Sequence, residues 1–322
     1  MRAVVYDRYG PPEVLRIEEI PTPTPGPGQV LVEVVATSVN LSDWESLWGS
    51  PFYARSGGLR APGRRTLGSD IAGTVAAVAS DVTRFRPGDE VYGDNLALLG
   101  GFAEHALAPE KALAHKPEAL SFVGASTIPQ AGPIALQGTA GVGPPQRMLI
   151  NGGGGGSGSF AIQLVKRAGA HVTGVDNAGK LEHMRSIGAD EVIDFQSQDW
   201  TRLGPFDRVL DLVADRSVFA YRRSLAPGGR YRCVGGSVRS LLRVVTAGAI
   251  LGRVTGRRIG LLVVKPGPTY FQPMADLCVS GDIRIHIDRT FSLGEVPEAL
   301  AHVGEGRALG KVVVVVRPSV GG

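Results

Sequence analysis

The stretch Met148–Gly169, MLINGGGGGSGSFAIQLVKRAG, decides the fold of this chain. It opens with a short apolar run, Met148–Ile150, which predicts a buried strand. A run of glycines follows, and apolar residues then recur at helical spacing over Phe160–Ala168. The order strand, glycine turn, helix is the context in which a glycine-rich motif predicts dinucleotide binding.

The glycine run fits the pattern G-x-G-x-x-G at Gly153, Gly155 and Gly158. Glycine takes positive φ without strain and lets a pyrophosphate approach the backbone closely. The free N–H groups at the helix start then face the anion. The residues predicted to hold the cofactor here are Gly153, Gly155, Gly156, Ser157 and Gly158. The alternative is a flexible Gly/Ser linker, which the flanking strand and helix disfavour.

A second predicted strand, His171–Val175, ends at Asp176. This acid lies close to the spacing of roughly 20 residues at which a carboxylate meets the ribose hydroxyls of the cofactor. A carboxylate there repels a 2′-phosphate and favours NADH. Lys180 is also a predicted cofactor residue, because its ammonium group could pair with such a phosphate. NADPH therefore stays open.

The order of predicted strands and helices along the chain predicts two domains. From about residue 122 short apolar strands alternate with helices, which predicts a doubly wound parallel sheet over residues 122–261. The preceding residues 1–121 are predicted to be rich in strands, and the segment Lys311–Val316 predicts a further strand. The first domain is therefore predicted to comprise residues 1–121 and 262–322, completed by the end of the chain.

Composition excludes several classes of protein. The chain has 322 residues, of which 43% are apolar and 20% charged, as in an ordinary soluble protein. The net charge of +4 comes from scattered arginines, so no nucleic-acid partner is expected. Two cysteines exclude a disulfide framework and fit a reducing cytoplasm. The start MRAVVYDRYG predicts a strand rather than a signal peptide, and Val244–Val254 is too short to span a membrane.

The residues around Asn40–Trp48 predict a short helix close to a possible pocket. The side chains of Trp44, Trp48, Phe52 and Tyr53 predict either a flat apolar pocket or ordinary core aromatics. The segment Phe52–Arg65 is rich in Gly, Pro and Arg, which predicts a loop that could cover a site.

Several stretches together resemble one family, the medium-chain dehydrogenase/reductase superfamily, and its zinc-independent quinone-oxidoreductase branch. They are the first 44 residues with their PTPTPGPG turn, LGSDIAGTVAAVASDVTRFRPGDEVYG, the glycine loop, RSIGADEVIDF, and IDRTFSLGEVPEALAHVGEGRALGKVVVVV. The resemblance implies an α/β fold with a GroES-like β-rich catalytic domain and a Rossmann domain. It also implies a homodimer, with the predicted outer strand Ile259–Val264 as the candidate edge.

The resemblance implies that no metal is bound. Zinc-dependent relatives hold the ion with a Cys, a His and a second Cys, and the corresponding positions here are Asn40, Ser69 and Gln130. Zinc favours thiolate, imidazole and carboxylate ligands, and none of these three residues supplies one.

Without zinc, the family chemistry implied is hydride transfer from NAD(P)H to a quinone or an α,β-unsaturated carbonyl. Conjugation spreads the developing charge to an oxygen, where hydrogen-bond donors suffice. The candidate donors are the Asn40 amide and the Ser42 hydroxyl; the alternative is that both only stabilise the turn and the helix start. Gly235 matches the position where backbone passes close to the nicotinamide.

Other functions stay open. The enzymatic alternatives are an enoyl-thioester reductase and a zinc-free alcohol dehydrogenase, and the alternative of another class is a nucleotide-binding or partner-binding protein without turnover. Quinone reductases often carry a Tyr shortly after the position of Asp43, where this chain has Trp44 and Glu45. The sequence leaves the proton donor unassigned.

Overall fold

The computed structural model describes residues 1–55 and 57–317, which divide into two compact units. The first unit comprises Met1–Gly132, Pro266–Gly281 and the chain from Ile285 onward; the second comprises Pro133–Lys265 and Asp282–Arg284. The predicted boundaries were 121/122 and 261/262. The first differs because the helix Phe122–Ala125 packs against strands of the first unit. Residues 318–322 of the predicted segment 262–322 lie outside the described residues.

The strands of the described chain are β1 (Arg2–Val5), β2 (Arg16–Glu19), β3 (Gln29–Val39), β4 (Asp70–Val78), β5 (Glu90–Asp94), β6 (His105–Pro109), β7 (Leu113–His115), β8 (Arg147–Asn151), β9 (His171–Asp176), β10 (Glu191–Asp194), β11 (Phe206–Asp211), β12 (Leu225–Cys233), β13 (Arg258–Leu261), β14 (Ile287–Ser292) and β15 (Lys311–Val315). The α-helices are α1 (Leu41–Trp48), α2 (Phe122–Ala125), α3 (Ala131–Thr139), α4 (Gly156–Arg167), α5 (Leu181–Ser186), α6 (Val218–Ser224), α7 (Val238–Arg243), α8 (Ala249–Val254), α9 (Pro268–Val279) and α10 (Val296–Gly304).

The first unit is built on a seven-stranded sheet in the order β14-β15-β3-β4-β5-β7, with β6 also paired to β3. The long strand β3 carries a buried residue at most positions, because strands and helices cover it. Strand β15 pairs antiparallel with β3, so the valine run near the end of the chain completes the β-rich unit, as the sequence predicts. Val312, Val313 and Val314 are fully buried there.

The second unit is a six-stranded parallel sheet in the order β10-β9-β8-β11-β12-β13. Counted along the chain from β8, this is the order 3-2-1-4-5-6 of a Rossmann fold. The strand order runs outward in opposite directions from the adjacent strands β8 and β11. Ligands of such sheets bind at this switch point, outside the carboxyl ends of the strands. The predicted doubly wound domain is therefore confirmed, with each predicted strand present and its ends shifted by a few residues.

Two predictions for the first unit are modified by the structure. The sequence of Gly100–Leu107 predicts a strand, but the strand β6 covers His105–Pro109, because Leu99 and Gly100 adopt positive φ and turn the chain before it. The segment predicted as a loop, Phe52–Arg65, contains one turn of 3-10 helix at Phe52–Arg55, and Ser56 lies outside the described residues.

In the part of the chain that the structure describes, no helix has both the length and the apolar character needed to cross a bilayer.

Candidate functional site

The glycine turn of the second unit is closed by a backbone contact that only glycine permits. A Cβ atom on Gly158 would lie 2.1 Å from the carbonyl oxygen of Gly152 and 2.7 Å from the Cα of Gly153. Gly152 itself has a φ of +85°, a left-handed conformation that favours glycine. The first turn of α4 therefore packs directly on the end of β8, which is the packing that the third glycine of the motif serves.

The other predicted glycine-loop residues lie where an anion would meet the helix start. Helix α4 begins at Gly156, so Gly156 and Ser157 form its first turn. The N–H groups of a first turn have no partner within the helix. Gly155 precedes the helix, and a Cβ there would have its nearest neighbour at 3.7 Å, so this side of the turn is open. The loop thus fits a pyrophosphate group.

The structure brings the two competing cofactor residues together. One carboxylate oxygen of Asp176 accepts a hydrogen bond from the Gly154 N–H at 3.0 Å. The Lys180 ammonium lies 3.4 Å from the other oxygen, and both side chains are about nine-tenths buried. A Cβ on Gly154 would lie 2.6 Å from the Lys180 side chain, so the lysine stem lies along the glycine turn. Asp176 is therefore fixed at the turn and paired with Lys180.

Gly235 follows β12 with a φ of +73°, and a Cβ there would meet nothing within 4 Å. Strands β8, β9, β11 and β12 are parallel neighbours. Gly235, Asp176 and the glycine loop therefore lie at the same carboxyl edge of the sheet.

Sequence reasoning missed Asp211, which ends β11 at this edge. Its carboxylate accepts hydrogen bonds from the Asn151 side chain at 2.9 Å, the Ala214 N–H at 2.8 Å and the Tyr231 hydroxyl at 2.8 Å. Burial raises the pKa of this carboxyl, and its hydrogen bonds oppose that rise. An acid ending an apolar strand was the signal that could have found it. Asp211 ties the ends of β8, β11 and β12 together.

In the first unit, Asn40 lies between β3 and α1 and is almost fully buried. Its amide nitrogen lies 3.1 Å from the Ser69 hydroxyl and 2.9 Å from an Asp70 carboxylate oxygen. Its amide oxygen accepts a hydrogen bond from the Lys311 ammonium at 2.7 Å. Both amide hydrogens that were predicted to serve a substrate are thus engaged within the protein. This geometry favours a positioning role for Asn40.

Strand pairing places Lys311 beside Asn40, although 271 residues separate them in sequence. Val312 of β15 pairs with Val39 of the antiparallel strand β3. Lys311, which precedes Val312, therefore lies next to Asn40, which follows Val39. The Lys311 ammonium also lies 3.7 Å from Asp70, and both side chains are buried. Burial lowers the pKa of Lys311 and raises that of Asp70, while their mutual attraction opposes both changes.

Asp43 and Asp94 extend this cluster on the side of Asp70. Asp43 accepts hydrogen bonds from the Asn40 N–H, the Ser69 hydroxyl and the Gly68 N–H. Burial, with a contribution from Asp70, still raises the pKa of Asp43 to about 7. Asp94 lies opposite Asp70 in the β4–β5 pair, and burial together with the Asp70 charge raises its pKa to about 7.

The positions that correspond to zinc ligands do not fit the metal. The Asn40 oxygen, the group that could approach an ion, is occupied by the Lys311 ammonium. A buried cation at this point repels a second cation. Among residues 1–55 and 57–317, no group of three or more His, Cys, Asp or Glu side chains is arranged to hold a metal ion. The Asn40 oxygen is therefore engaged with a cation, and Ser69 and Gln130 offer only a hydroxyl and an amide, which suit zinc poorly.

The Ser42 hydroxyl donates a hydrogen bond to the Gln130 side-chain oxygen at 2.8 Å. Ser42 also lines a cavity of about 550 Å³ in the first unit. The polar groups at its wall include Tyr6, Tyr9, Tyr53 and Glu45. Of the four aromatics considered in the sequence, Tyr53 lines this cavity, and Trp44 packs against Trp48 with ring centroids 5.6 Å apart.

The glycine contact predicts a severe effect of Gly158→Ala on cofactor binding. The new Cβ would overlap the Gly152 oxygen, so the turn must open and the helix start must move. We expect nicotinamide cofactor affinity to fall by at least about tenfold, or 1.4 kcal/mol, in a fluorescence titration. Gly143→Ala is the matched control, since its nearest neighbour would lie at 3.9 Å. Native affinity in a folded Gly158→Ala protein would contradict this role of the contact.

The buried cluster predicts that Lys311→Met destabilises the protein, because it leaves Asp70 buried without its cation. The expected loss is about 3–5 kcal/mol in the free energy of unfolding, measured with urea. Adding Asp70→Asn to Lys311→Met should restore part of that loss, because no uncompensated carboxylate remains. Lys111→Met, at an exposed lysine, serves as the control. Equal stability of Lys311→Met and the native protein would rule out the ion pair as a structural requirement.

Comparison with known proteins agrees with this architecture. Residues 26–118 match the family model described as "Alcohol dehydrogenase GroES-like domain". Residues 187–314 match the model described as "Zinc-binding dehydrogenase". The first match lies within the β-rich first unit, and the second runs from β10 through β13 of the Rossmann sheet and on into the last strands of the first unit.

Similar proteins match over nearly the whole chain. It is 32% identical to the quinone-oxidoreductase QR1 of Triphysaria versicolor, covering 98% of each chain. It is 34% identical to the 2-methylene-furan-3-one reductase of Solanum lycopersicum, over 98% of this chain and 79% of that protein. The solved structure of the quinone oxidoreductase from Coxiella burnetii superimposes with a TM-score of 0.89 at 30% identity, covering 98% of this chain and 99% of that one. The chain therefore belongs to the medium-chain dehydrogenase/reductase superfamily, in its quinone-oxidoreductase-like branch.

Proposed function

We propose that this protein is an NAD(P)H-dependent reductase of quinones and α,β-unsaturated carbonyl compounds that works without a catalytic metal ion. One observation carries the proposal of metal-free chemistry: the buried Lys311 ammonium donates a hydrogen bond to Asn40, which stands at a zinc-ligand position. The glycine turn, which fits a pyrophosphate group, supports the nucleotide cofactor. The names of two similar proteins, a quinone oxidoreductase and a furanone reductase, support the acceptor class.

The chain's own residues divide the work. The glycine loop and Asp176 bind and orient the cofactor, and the bound cofactor supplies hydride to the acceptor. Conjugation carries the resulting negative charge to an oxygen of the acceptor. Ser42 lines the cavity with a hydroxyl group that can donate a hydrogen bond to such an oxygen when it leaves Gln130. A conjugated acceptor needs less polarisation than a saturated ketone, so neutral donors suffice.

Acceptor specificity is the test of this function. Purified protein is mixed with NADH or NADPH and, in turn, a simple quinone, a cyclic enone, a saturated ketone and an enoyl thioester, and loss of the reduced nicotinamide absorbance is followed. We expect turnover with the quinone and the enone and none with the ketone. Turnover with the thioester alone or with the ketone alone would instead identify an enoyl-thioester reductase or an alcohol dehydrogenase.

The same experiment separates the enzyme from a binding protein. A protein that binds the cofactor in a titration but oxidises it with none of the acceptors would be a nucleotide-binding or partner-binding relative without turnover. That result would refute the proposed reductase function.

We further propose that NADH is preferred over NADPH. The Asp176 carboxylate is held at the glycine turn by the Gly154 N–H, where it would repel a 2′-phosphate. Lys180 is already paired with Asp176, so its charge is partly compensated.

Asp176→Ser is expected to shift preference towards NADPH. The substitution removes the repelling carboxylate and frees the Lys180 ammonium to pair with a phosphate. The ratio of kcat/KM for NADPH to that for NADH should rise by about tenfold or more, a change of roughly 1.4 kcal/mol. Asp190→Ser, at an acid hydrogen-bonded to the Val172 N–H away from the glycine turn, is the control. An unchanged ratio in Asp176→Ser would show that this acid does not discriminate between the cofactors.

The remaining expectations are proposals as well. We expect a homodimer, and β13, which ends the order of the six-stranded sheet, is the edge available for it. A cytoplasmic location, small-molecule acceptors, and the lack of nucleic-acid and membrane partners stay predictions from the sequence.

A further inference from the structure

Helix α1 presents different acids to two different environments. Asp43 points into the buried cluster with Ser69 and Gly68. Ser42, Glu45 and Ser46 line the cavity. Residues three or four positions apart share a helix face, so one face of α1 carries a hydroxyl and a carboxyl group to the cavity wall. The reaction described above has used the hydroxyl and has given the carboxyl group no role.

The carboxyl group of Glu45 is held by a tyrosine from the opposite segment of the wall. The Tyr53 hydroxyl lies 3.3 Å from one carboxylate oxygen and 3.4 Å from the other. Tyr53 belongs to the short 3-10 turn Phe52–Arg55 and also lines the cavity. The two side chains therefore form a pair at the surface of the space available to an acceptor.

The surroundings of Glu45 contain little compensating charge. In the described chain no cation forms an ion pair with it. The ionisable groups of the cavity wall besides Glu45 and Tyr53 are Tyr6, Tyr9 and Arg64. Arg55, the last residue of the same 3-10 turn as Tyr53, donates a hydrogen bond to the Gly49 carbonyl and lies over the Tyr9 ring.

Burial raises the pKa of Glu45 to about 6, and the hydrogen bond from Tyr53 opposes that rise. A carboxyl group with a raised pKa keeps its proton at higher pH than an exposed glutamate does. It can then act as a general acid near neutral pH.

We propose that Glu45 is the catalytic acid that protonates the reduced acceptor, and that Tyr53 is a positioning residue for its carboxyl group. The inference rests on the proposed reductase function, and it assigns the proton donor that the sequence left open.

The step balances as a simple proton transfer. Hydride delivery has already added two electrons and converted an enone into its enolate. The O–H bond of Glu45 then breaks, its electron pair stays on the carboxylate, and a C–H bond forms at the α-carbon of the enolate. Glu45 recovers its proton from water. A quinone follows the same course with O–H bond formation, which gives the hydroquinone.

The two acceptors depend on this acid to different extents. Hydroquinone anions are oxygen bases that water protonates rapidly. Protonation at carbon is intrinsically slower, and a positioned general acid accelerates such a step by about 10²–10⁴-fold. Loss of Glu45 should therefore impair enone reduction far more than quinone reduction.

The direction of the pH dependence follows from the protonation state in which Glu45 is active. Glu45 works only while protonated, and above a pKa of about 6 its protonated fraction falls tenfold for each pH unit. Enone turnover should decline on this limb as the pH rises. Removing Tyr53 removes a bond that lowers the pKa, so Tyr53→Phe should move the limb to higher pH.

The test compares Glu45→Gln, Tyr53→Phe and the control Glu118→Gln, at an exposed glutamate, with the native protein. For Glu45→Gln we expect kcat with the enone to fall by about 100-fold and its alkaline limb to disappear. Its cofactor affinity in a titration should stay close to the native value, which also shows that the variant folds, and its quinone turnover should fall far less than its enone turnover.

Two results would count against the proposal, and they are distinguishable. If Glu45→Gln kept native enone turnover and the native pH profile, or lost quinone and enone turnover equally, Glu45 would not be the acid although the reductase function stood. If the native protein reduced neither acceptor, the reductase function itself would fail, and the role of Glu45 with it.

Discussion

The bond between the Lys311 ammonium and the Asn40 amide oxygen organises the first unit. It joins the last strand of the described chain to the turn between β3 and α1. It fixes which way the Asn40 amide faces, so that its nitrogen serves Ser69 and Asp70. It also places positive charge beside Asp70 and near Asp43, two buried acids that would otherwise repel each other. That charge disfavours a divalent ion beside Asn40, which supports the metal-independent chemistry proposed above.

The helix that follows Asn40 connects this buried cluster to the cavity. Asp43 faces the cluster, while Ser42 and Glu45 line the cavity proposed to hold the acceptor. The cluster can thus stiffen α1 without being touched by substrate, and the exposed face of the same helix supplies the donors. This arrangement of α1 is consistent with a site that has no Lewis acid. Hydrogen-bond donors held in fixed positions can stabilise the negative charge that develops on a conjugated acceptor.

Much of the second unit could be read from local sequence. The glycine turn, Asp176 and the alternating strands are encoded within short segments whose periodicity and steric needs are local. The structure forms the strands and the glycine turn, places Asp176 at the end of β9, and shows why Gly158 admits no side chain. Asp211 escaped prediction because its role consists of bonds to three separate segments. The sequence also did not show that Asp176, which favours NADH, and Lys180, which could pair with the phosphate of NADPH, form an ion pair with each other.

The sequence alone determined the two kinds of domain, the nucleotide-binding turn and the absence of thiolate and imidazole at the positions where relatives bind zinc, because each depends on residue type within a few positions. Tertiary structure alone decided what stands in their place. Lys311 reaches Asn40 only through the pairing of β15 with β3. Glu45 meets Tyr53 only because the chain folds back after α1. Burial then sets the proton affinity of each acid, and burial depends on distant segments packing together, which no local pattern specifies.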